Sequence, residues 1–580
     1  MVIQSDKLNF AVRLLGYALV MVILSPAACM YPESSRHLSA AYLTGITPLL
    51  KPVPTEEFAA RGKPAQNRFQ GVLRFTMAGQ TSHIEVIKDS FNVTADAGLQ
   101  VSLLPDFSFT LIQYGDALLP TRRGPQRMQH LYWEYIIEPG RTWQEAADGE
   151  WSRASLPFAL KEKNQNCLHN GVLTFLYKDD GSISRVAYQI GSETCQYLHI
   201  NLWGVAEAHY VRQKPVGAGE VIAAWLEETS NRPIVKPLDN LATDFPDFNL
   251  DKLLPPTPSD ITVYGLVVDG VHYRSTCPTR FGPYPYCDEI NLPSYSLAKS
   301  IFAGLGYMMM VKRWPEFEHL TVSAMLPECR LPDGRWDDVT TRQLLNMTTG
   351  NYASADFSKD EDSAAMTPFF LAESHADKLN FSCKAWPRQQ PPGSQLVYHT
   401  TDHYLLGTVM NVFLRQKEGV QADIFNDLIK AEIFGPLGLS QTSQVTQRSY
   451  DKVAQPFTAY GLFFKPDDIA ILAGFLNGGL THPELFRQQE FAAAMFTDTS
   501  GLMYWPGTRG EAYNLGFWGF DVTRLLPCTS QTWIPFMSGY GGIIFALLPG
   551  GISYYYFTDG GHGSWQDAVV EINKISNSCK

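Results

Sequence analysis

Ser296 and Lys299 carry the most specific chemistry in this chain. They stand in Ser296-Leu-Ala-Lys299, where an extended, turn-rich stretch gives way to the apolar run Ile301-Phe-Ala-Gly-Leu-Gly-Tyr-Met-Met-Met-Val311. At the start of a helix, side chains three residues apart lie on one face, so the lysine amine can reach the serine hydroxyl. A serine hydroxyl is almost never ionised at neutral pH and must hand its proton to a neighbouring base as it attacks. Lysine serves as that base only when burial lowers its pKa, which the small, apolar surroundings of Ala298 and Ala303 favour. A Ser-x-x-Lys arises by chance about once or twice in a chain this long. A second one is present at Ser449-Tyr-Asp-Lys452, so context must separate the two.

The context lies around Ser296. Upstream, Ile261 to Tyr273 reads as two strands about an Asp-Gly turn. Downstream follow Val339-Thr-Thr-Arg-Gln-Leu-Leu-Asn-Met-Thr-Thr-Gly350, Pro392-Gly-Ser-Gln-Leu-Val-Tyr-His-Thr400, Gly435-Pro-Leu-Gly-Leu439, Ala459-Tyr-Gly-Leu-Phe-Phe-Lys-Pro-Asp-Asp-Ile469 and Gly539-Tyr-Gly-Gly-Ile-Ile-Phe-Ala-Leu-Leu-Pro549. In this order and spacing, residues from about 260 to 580 resemble the serine β-lactamase-like family. The resemblance is nearest to class C β-lactamases, family VIII carboxylesterases and 6-aminohexanoate-dimer hydrolases. Nothing comparable surrounds Ser449.

The resemblance implies an α/β (α+β) serine β-lactamase/transpeptidase-like domain, an antiparallel sheet flanked by helices. It implies Ser296 as nucleophile, Lys299 as its partner and Tyr398 as a proton-shuttling phenol. The family's Tyr-x-Asn motif here reads Tyr398-His-Thr400, so Thr400 replaces an asparagine and offers fewer donors to a substrate. His399 falls at a position that varies in the family, which implies no catalytic part for it. The family's third motif carries a basic residue on a strand lining the site. Here Phe536, Met537 and Ser538 stand near that position, and Arg509 is a loop residue that would restore a cation. Without such a cation a substrate carboxylate is poorly held, which points away from β-lactams and D-Ala-D-Ala peptides and towards neutral esters or amides. Gly539 and Tyr540 are placed at the strand end that supplies one oxyanion-hole N–H, with Ser296 supplying the other.

Length and composition set the frame. A chain of 580 residues is too long for one core and implies two domains. With 45% hydrophobic and 12% aromatic residues it has ample material for packing. Its formal charge of −12, with no basic run, excludes nucleic acid as an expected partner. No phosphate-cradling glycine loop and no zinc-type His/Cys spacing occurs, so no cofactor and no metal is expected. The expected partner is a small ester or amide, and the oligomeric state is left open.

Residues 1–28 read as an export signal: Lys7 and Arg13 precede an apolar run, Leu14 to Leu24, too short to span a bilayer, and Ser25-Pro-Ala-Ala28 follow. Cys29 then resembles a bacterial lipoprotein acceptor, which predicts a periplasmic or membrane-tethered envelope protein attached only through that lipid. Ordinary cleavage nearby is the alternative. Removing Cys29 from nine cysteines leaves eight, enough to pair fully in an oxidising compartment. The strands either side of Asp179-Asp-Gly181 form a hairpin whose register brings Cys167 opposite Cys195. Cys277 and Cys287 bound a short loop, while Cys329 with Cys383 and Cys528 with Cys579 follow by nearest-neighbour elimination.

Between these features the expected organisation is a linker over 29–67, a mainly-β domain over 68–215, a connector over 216–260 and the hydrolase domain over 261–580. The β domain reads as a sandwich or curved antiparallel sheet, its tryptophans (Trp133, Trp143, Trp151, Trp203) as core rather than a binding face. The expected function is an exported serine hydrolase working through an acyl-enzyme on Ser296. The alternatives are a β-lactamase or D-Ala-D-Ala-type peptidase and, outside enzymes, an inactive envelope binding protein on the same scaffold.

Overall fold

The computed structural model describes residues 37–356, 358–479, 481–505, 510–576 and 579. The export signal, the lipidation candidate Cys29 and the loop cation Arg509 lie outside them.

The N-terminal β region closes on itself. Its strands are β1 (Gln70–Asp89), β2 (Phe107–Tyr114), β3 (Ala117–Pro120), β4 (Trp133–Ile137), β5 (Gly140–Trp143), β6 (Ser152–Glu162), β7 (Leu168–Tyr177), β8 (Val186–Thr194) and β9 (Leu198–Arg212). Pairing runs β6-β5-β3-β2-β1-β9-β8-β7, and β7 returns to β6, so the expected sandwich or curved antiparallel sheet takes the form of a closed antiparallel barrel. β4 and β5 pair with successive halves of β6, at Phe158–Glu162 and Arg153–Ser155, and together act as one broken strand. Alternate residues such as Leu73, Phe75, Phe107, Trp133, Phe158 and Phe175 fill the interior, so the barrel is packed rather than hollow. Trp133 and Trp143 are 0% and 3% exposed, in keeping with the expectation of core roles.

Strands β6, β7 and β8 are buried along their whole length. The period of two explains why: Leu173 and Phe175 point into the barrel, while Val172, Leu176 and Ala187 join a second core with Val263, Tyr284 and Leu297 of the C-terminal region. Leu38, Leu43, Val53 and Phe58 from the preceding segment pack into that same shared core.

The C-terminal region is built on a nine-stranded sheet. It runs from β10 (Ile234–Pro237) through β12 (Val271–Arg274) and β11 (Ile261–Val268) to strands Ile552–Thr558, Ile543–Leu548, Trp533–Gly539, Phe517–Asp521, Glu511–Asn514 and Met503–Tyr504. The expected hairpin is β11–β12, turning at Asp269 and Gly270 with φ of 49° and 77°. β10, from the connector, adds a parallel edge strand. One sheet face packs on the nucleophile helix and its neighbours. The other is covered by Leu238, Leu241, Phe248 and Leu253 of the connector and by helix Gln566–Ile572. The four expected disulfides are all present: Cys167–Cys195, Cys277–Cys287, Cys329–Cys383 and Cys528–Cys579.

Candidate active site

The short strand Leu292–Pro293 pairs with Phe463–Phe464 and delivers the chain to a sharp bend. Tyr295 takes a φ of 41°, a left-handed conformation that a bulky residue adopts only when its surroundings hold it. The chain then enters a helix whose first turn is π-helical over Lys299–Gly304 before continuing as Leu305–Arg313. A wide turn of this kind is common at functional sites, and here it starts at the lysine. Ser296 is thereby left half-buried at the head of the helix while Lys299 is 2% exposed.

The structure brings the expected set together. Lys299 Nζ donates to Ser296 Oγ at 2.9 Å and Tyr398 OH donates to the same oxygen at 2.7 Å. Lys299 Nζ also donates to Thr400 Oγ1 at 2.9 Å and lies 4.7 Å from the centre of the Tyr398 ring. Burial, opposed by the Glu361 carboxylate, pushes the Lys299 amine down to about 8. Burial pushes the Tyr398 phenol up, with Glu361 adding to the effect. One residue of the pair is thus readied to lose a proton and the other to keep it.

Glu361 is the group that sequence reasoning missed. Thr400 gives its hydroxyl hydrogen bond to Glu361 Oε1, and Thr400 N donates to Glu361 Oε2 at 2.9 Å. A line of contacts therefore runs Glu361–Thr400–Lys299–Ser296–Tyr398. His399 supports it from behind: fully buried, stacked at 4.9 Å on Trp386, it contacts Asp360 Oδ2 through Nε2 at 3.1 Å and so anchors the loop that carries Glu361. Its role is structural, and the exposed His562 reaches no part of this array among the described residues.

The far wall is the strand Trp533–Gly539, which carries no basic side chain. Gly539 sits against the nucleophile turn: a Cβ there would lie 3.2 Å from Leu297 Cδ1. The Tyr540 ring is 5.8 Å from that of Tyr295. Gly539 and Tyr540 thus lie beside Leu297 and Tyr295, the chain neighbours of Ser296. Trp518 and Trp505, each 6.1 Å from the Tyr398 ring, pack beside it, Trp518 half-buried and Trp505 buried. The second Ser-x-x-Lys is not arranged in this way: Ser449 Oγ donates to Asp451 Oδ1 at 2.8 Å, and Lys452 is exposed.

For a metal, two clusters among the described residues have suitable ligand types. The sulfurs of Cys167 and Cys195 beside His169 are committed to a disulfide. Glu193, beside His199 and Asp559, is gripped at both oxygens by Arg280, 2.6 and 2.7 Å away. Neither cluster is part of the array around Ser296.

Residues 292–574 match the family model described as Beta-lactamase. That stretch is a β-lactamase-family domain. Among solved structures the chain is similar to a D-stereospecific amidohydrolase from Streptomyces sp. (16% identity, TM-score 0.40, covering 55% of this chain and 96% of that one). It is also similar to EstCE1, a hydrolase with promiscuous acyltransferase activity (16% identity, TM-score 0.40, covering 60% and 99%). A class C β-lactamase from Rhodobacter sphaeroides follows (16% identity, TM-score 0.38, covering 60% and 99%). No curated protein sequence matches. The matched stretch contains Ser296, Lys299 and Tyr398, together with Glu361, Thr400 and Met537.

Proposed function

We propose that this protein is an exported serine hydrolase that cleaves neutral esters or amides through an acyl-enzyme on Ser296. One observation carries the reading: a buried lysine amine and a half-buried tyrosine phenol both meet the Ser296 oxygen, at 2.9 and 2.7 Å. In its neutral form Lys299 takes the Ser296 proton as Oγ bonds to the substrate carbonyl carbon. Tyr398, held protonated, gives its proton to the departing alcohol or amine and regains one from the Lys299 ammonium. Water then attacks the acyl-enzyme with the same groups acting in reverse. In this reading the oxyanion is served by the Ser296 N–H and by one N–H from the strand end at Gly539-Tyr540. A protein that only binds needs none of these three side chains, which weighs against the inactive-scaffold alternative.

Charge supports the substrate class. The strand Trp533–Gly539 offers no cation to a substrate carboxylate, and Glu361 places a negative charge behind Lys299. An anionic substrate meets no compensating charge from either group, whereas the half-buried Trp518 and Tyr398 offer aromatic surface to a neutral one. Short-chain p-nitrophenyl esters are therefore expected to be hydrolysed at least tenfold faster, in kcat/KM, than nitrocefin or a D-Ala-D-Ala peptide. Nitrocefin turnover equal to ester turnover would show that the substrate class is wrong.

Four disulfides fit an oxidising compartment. They use eight of the nine cysteines, and among the described residues no helix is long and apolar enough to cross a membrane. We place membrane attachment at a lipid on Cys29. Intact mass of the mature protein tests this: an N-terminus elsewhere, or one without acyl chains, removes the tether.

A further inference from the structure

The barrel reaches into the active site at one point. Between β6 and β7 the chain turns through residues 163–167, and Asn166 from that turn is 1% exposed beneath the nucleophile bend. Its Oδ1 accepts from Tyr295 N at 2.6 Å, from Ser294 Oγ at 3.1 Å and from Gly461 N at 3.1 Å. Its Nδ2 donates to Leu462 O at 3.4 Å. One side chain from the barrel thus ties together the residue before the nucleophile and the strand that the nucleophile turn leans on. Tyr295 is also the residue in the left-handed conformation, so the shortest of these bonds falls on the strained peptide.

The turn is itself fastened. Cys167, next to Asn166, is bonded to Cys195, and Gln196 follows Cys195 in the chain. A Cβ on Gly541 would lie 3.4 Å from Gln196 Cβ, and one on Gly561 would lie 2.5 Å from Gln196 Nε2. Glycines at these places let the barrel turn sit against the loop that follows Tyr540. The disulfide therefore joins two barrel turns, one holding the bend before Ser296 and the other bracing the loop after Tyr540.

We infer that Asn166 is a positioning residue for the reaction, supplied by the barrel, which holds the Tyr295 peptide in its left-handed conformation and so aims Ser296 at the substrate. The inference rests on the reading of Ser296 as nucleophile. It gives the N-terminal barrel a direct part in the chemistry, because the hydrolase site is completed by a side chain from outside the hydrolase domain.

The test follows Ser296 with a fluorophosphonate, which reacts only with an activated serine, and measures the maximal labelling rate separately from probe affinity in the full chain. Asn166→Ala is expected to lower the maximal rate at least tenfold with affinity unchanged within about twofold. Asn166→Asp, which keeps the accepting oxygen, is expected to stay within about threefold of the wild type. Asn170→Ala is the control for general damage at the interface, because Asn170 exchanges bonds of 3.0 and 3.1 Å with the Asn291 backbone and touches neither Tyr295 nor Ser296. It is expected to lower the melting temperature while keeping the labelling rate. Should Asn166→Ala not fold, Asn166→Ser, too short to reach Tyr295, is read on the same scale. A wild type labelled at Ser296 with an indifferent Asn166→Ala overturns the positioning role alone, as does an equal loss in Asn170→Ala. A wild type that is not labelled at Ser296 overturns the nucleophile reading and the positioning role with it.

Discussion

In the proposed mechanism the proton held by Lys299 sets the working pH. Only the neutral amine accepts the serine proton, and burial brings its pKa from 10.5 to about 8. At neutral pH most of the enzyme therefore carries the ammonium. The value of kcat/KM for a neutral ester is expected to climb by up to about tenfold per pH unit below 8 and to level off above it. Glu361 opposes the burial effect, since its negative charge favours the ammonium. Glu361→Gln is therefore expected to move the ascending limb to lower pH, and an unmoved or higher limb would show that Glu361 does not act on Lys299. Ser296 and Lys299 were singled out in the sequence by their spacing at a helix start, and Tyr398 and Thr400 only through the family resemblance. Glu361 was not, because it stands in the run Asp360-Glu-Asp362, which has the composition of a solvated loop. Its place beside Thr400 depends on the buried His399–Asp360 contact, which no local pattern announces.

At the scale of elements, local signals were readable and closure was not. The hairpin at Asp269-Gly270 and the register that sets Cys167 opposite Cys195 followed from turn residues and a period of two. That β7 would also pair with β6 did not follow, because an open sheet and a closed barrel share the same alternation along each strand. The double burial of β6 to β8 is likewise a tertiary property, since it comes from the C-terminal region covering their outer face. The strand Trp533–Gly539 shows how an element constrains specificity. Met537 is fully buried in the same apolar cluster as Leu297 and Ala298, on the nucleophile side of the sheet, so an apolar residue occupies the face where a substrate-holding cation is expected in the family.

Across the whole molecule the two regions are joined by buried charge as well as apolar surface. Arg123 and Glu138 of the barrel meet Glu228 from helix Ala218–Ser230 and Glu289 and Lys465 of the hydrolase domain. Glu138 is fully buried between Arg123 and Lys465 and also accepts from Thr442 Oγ1 at 2.5 Å. Removing it leaves two buried cations sharing the remaining carboxylates. Glu138→Ala is expected to cost about 3 kcal/mol or more of stability, because an uncompensated buried charge costs more than the pair contributes. Denaturant unfolding measures it, and a loss below about 0.5 kcal/mol, the range of a surface change, would show that the cluster is not a coupled unit. Such a junction makes the barrel part of one framework with the C-terminal region, in keeping with the contact between Asn166 and the bend at Tyr295.

The central claim is that Ser296 is the activated nucleophile of this chain. Mass spectrometry of the protein after reaction with a fluorophosphonate tests it most directly. The expected result is a single adduct on Ser296, absent in Ser296→Ala, together with loss of ester hydrolysis in that variant. An adduct on Ser449, or a Ser296→Ala protein that still hydrolyses esters at the wild-type rate, would contradict it.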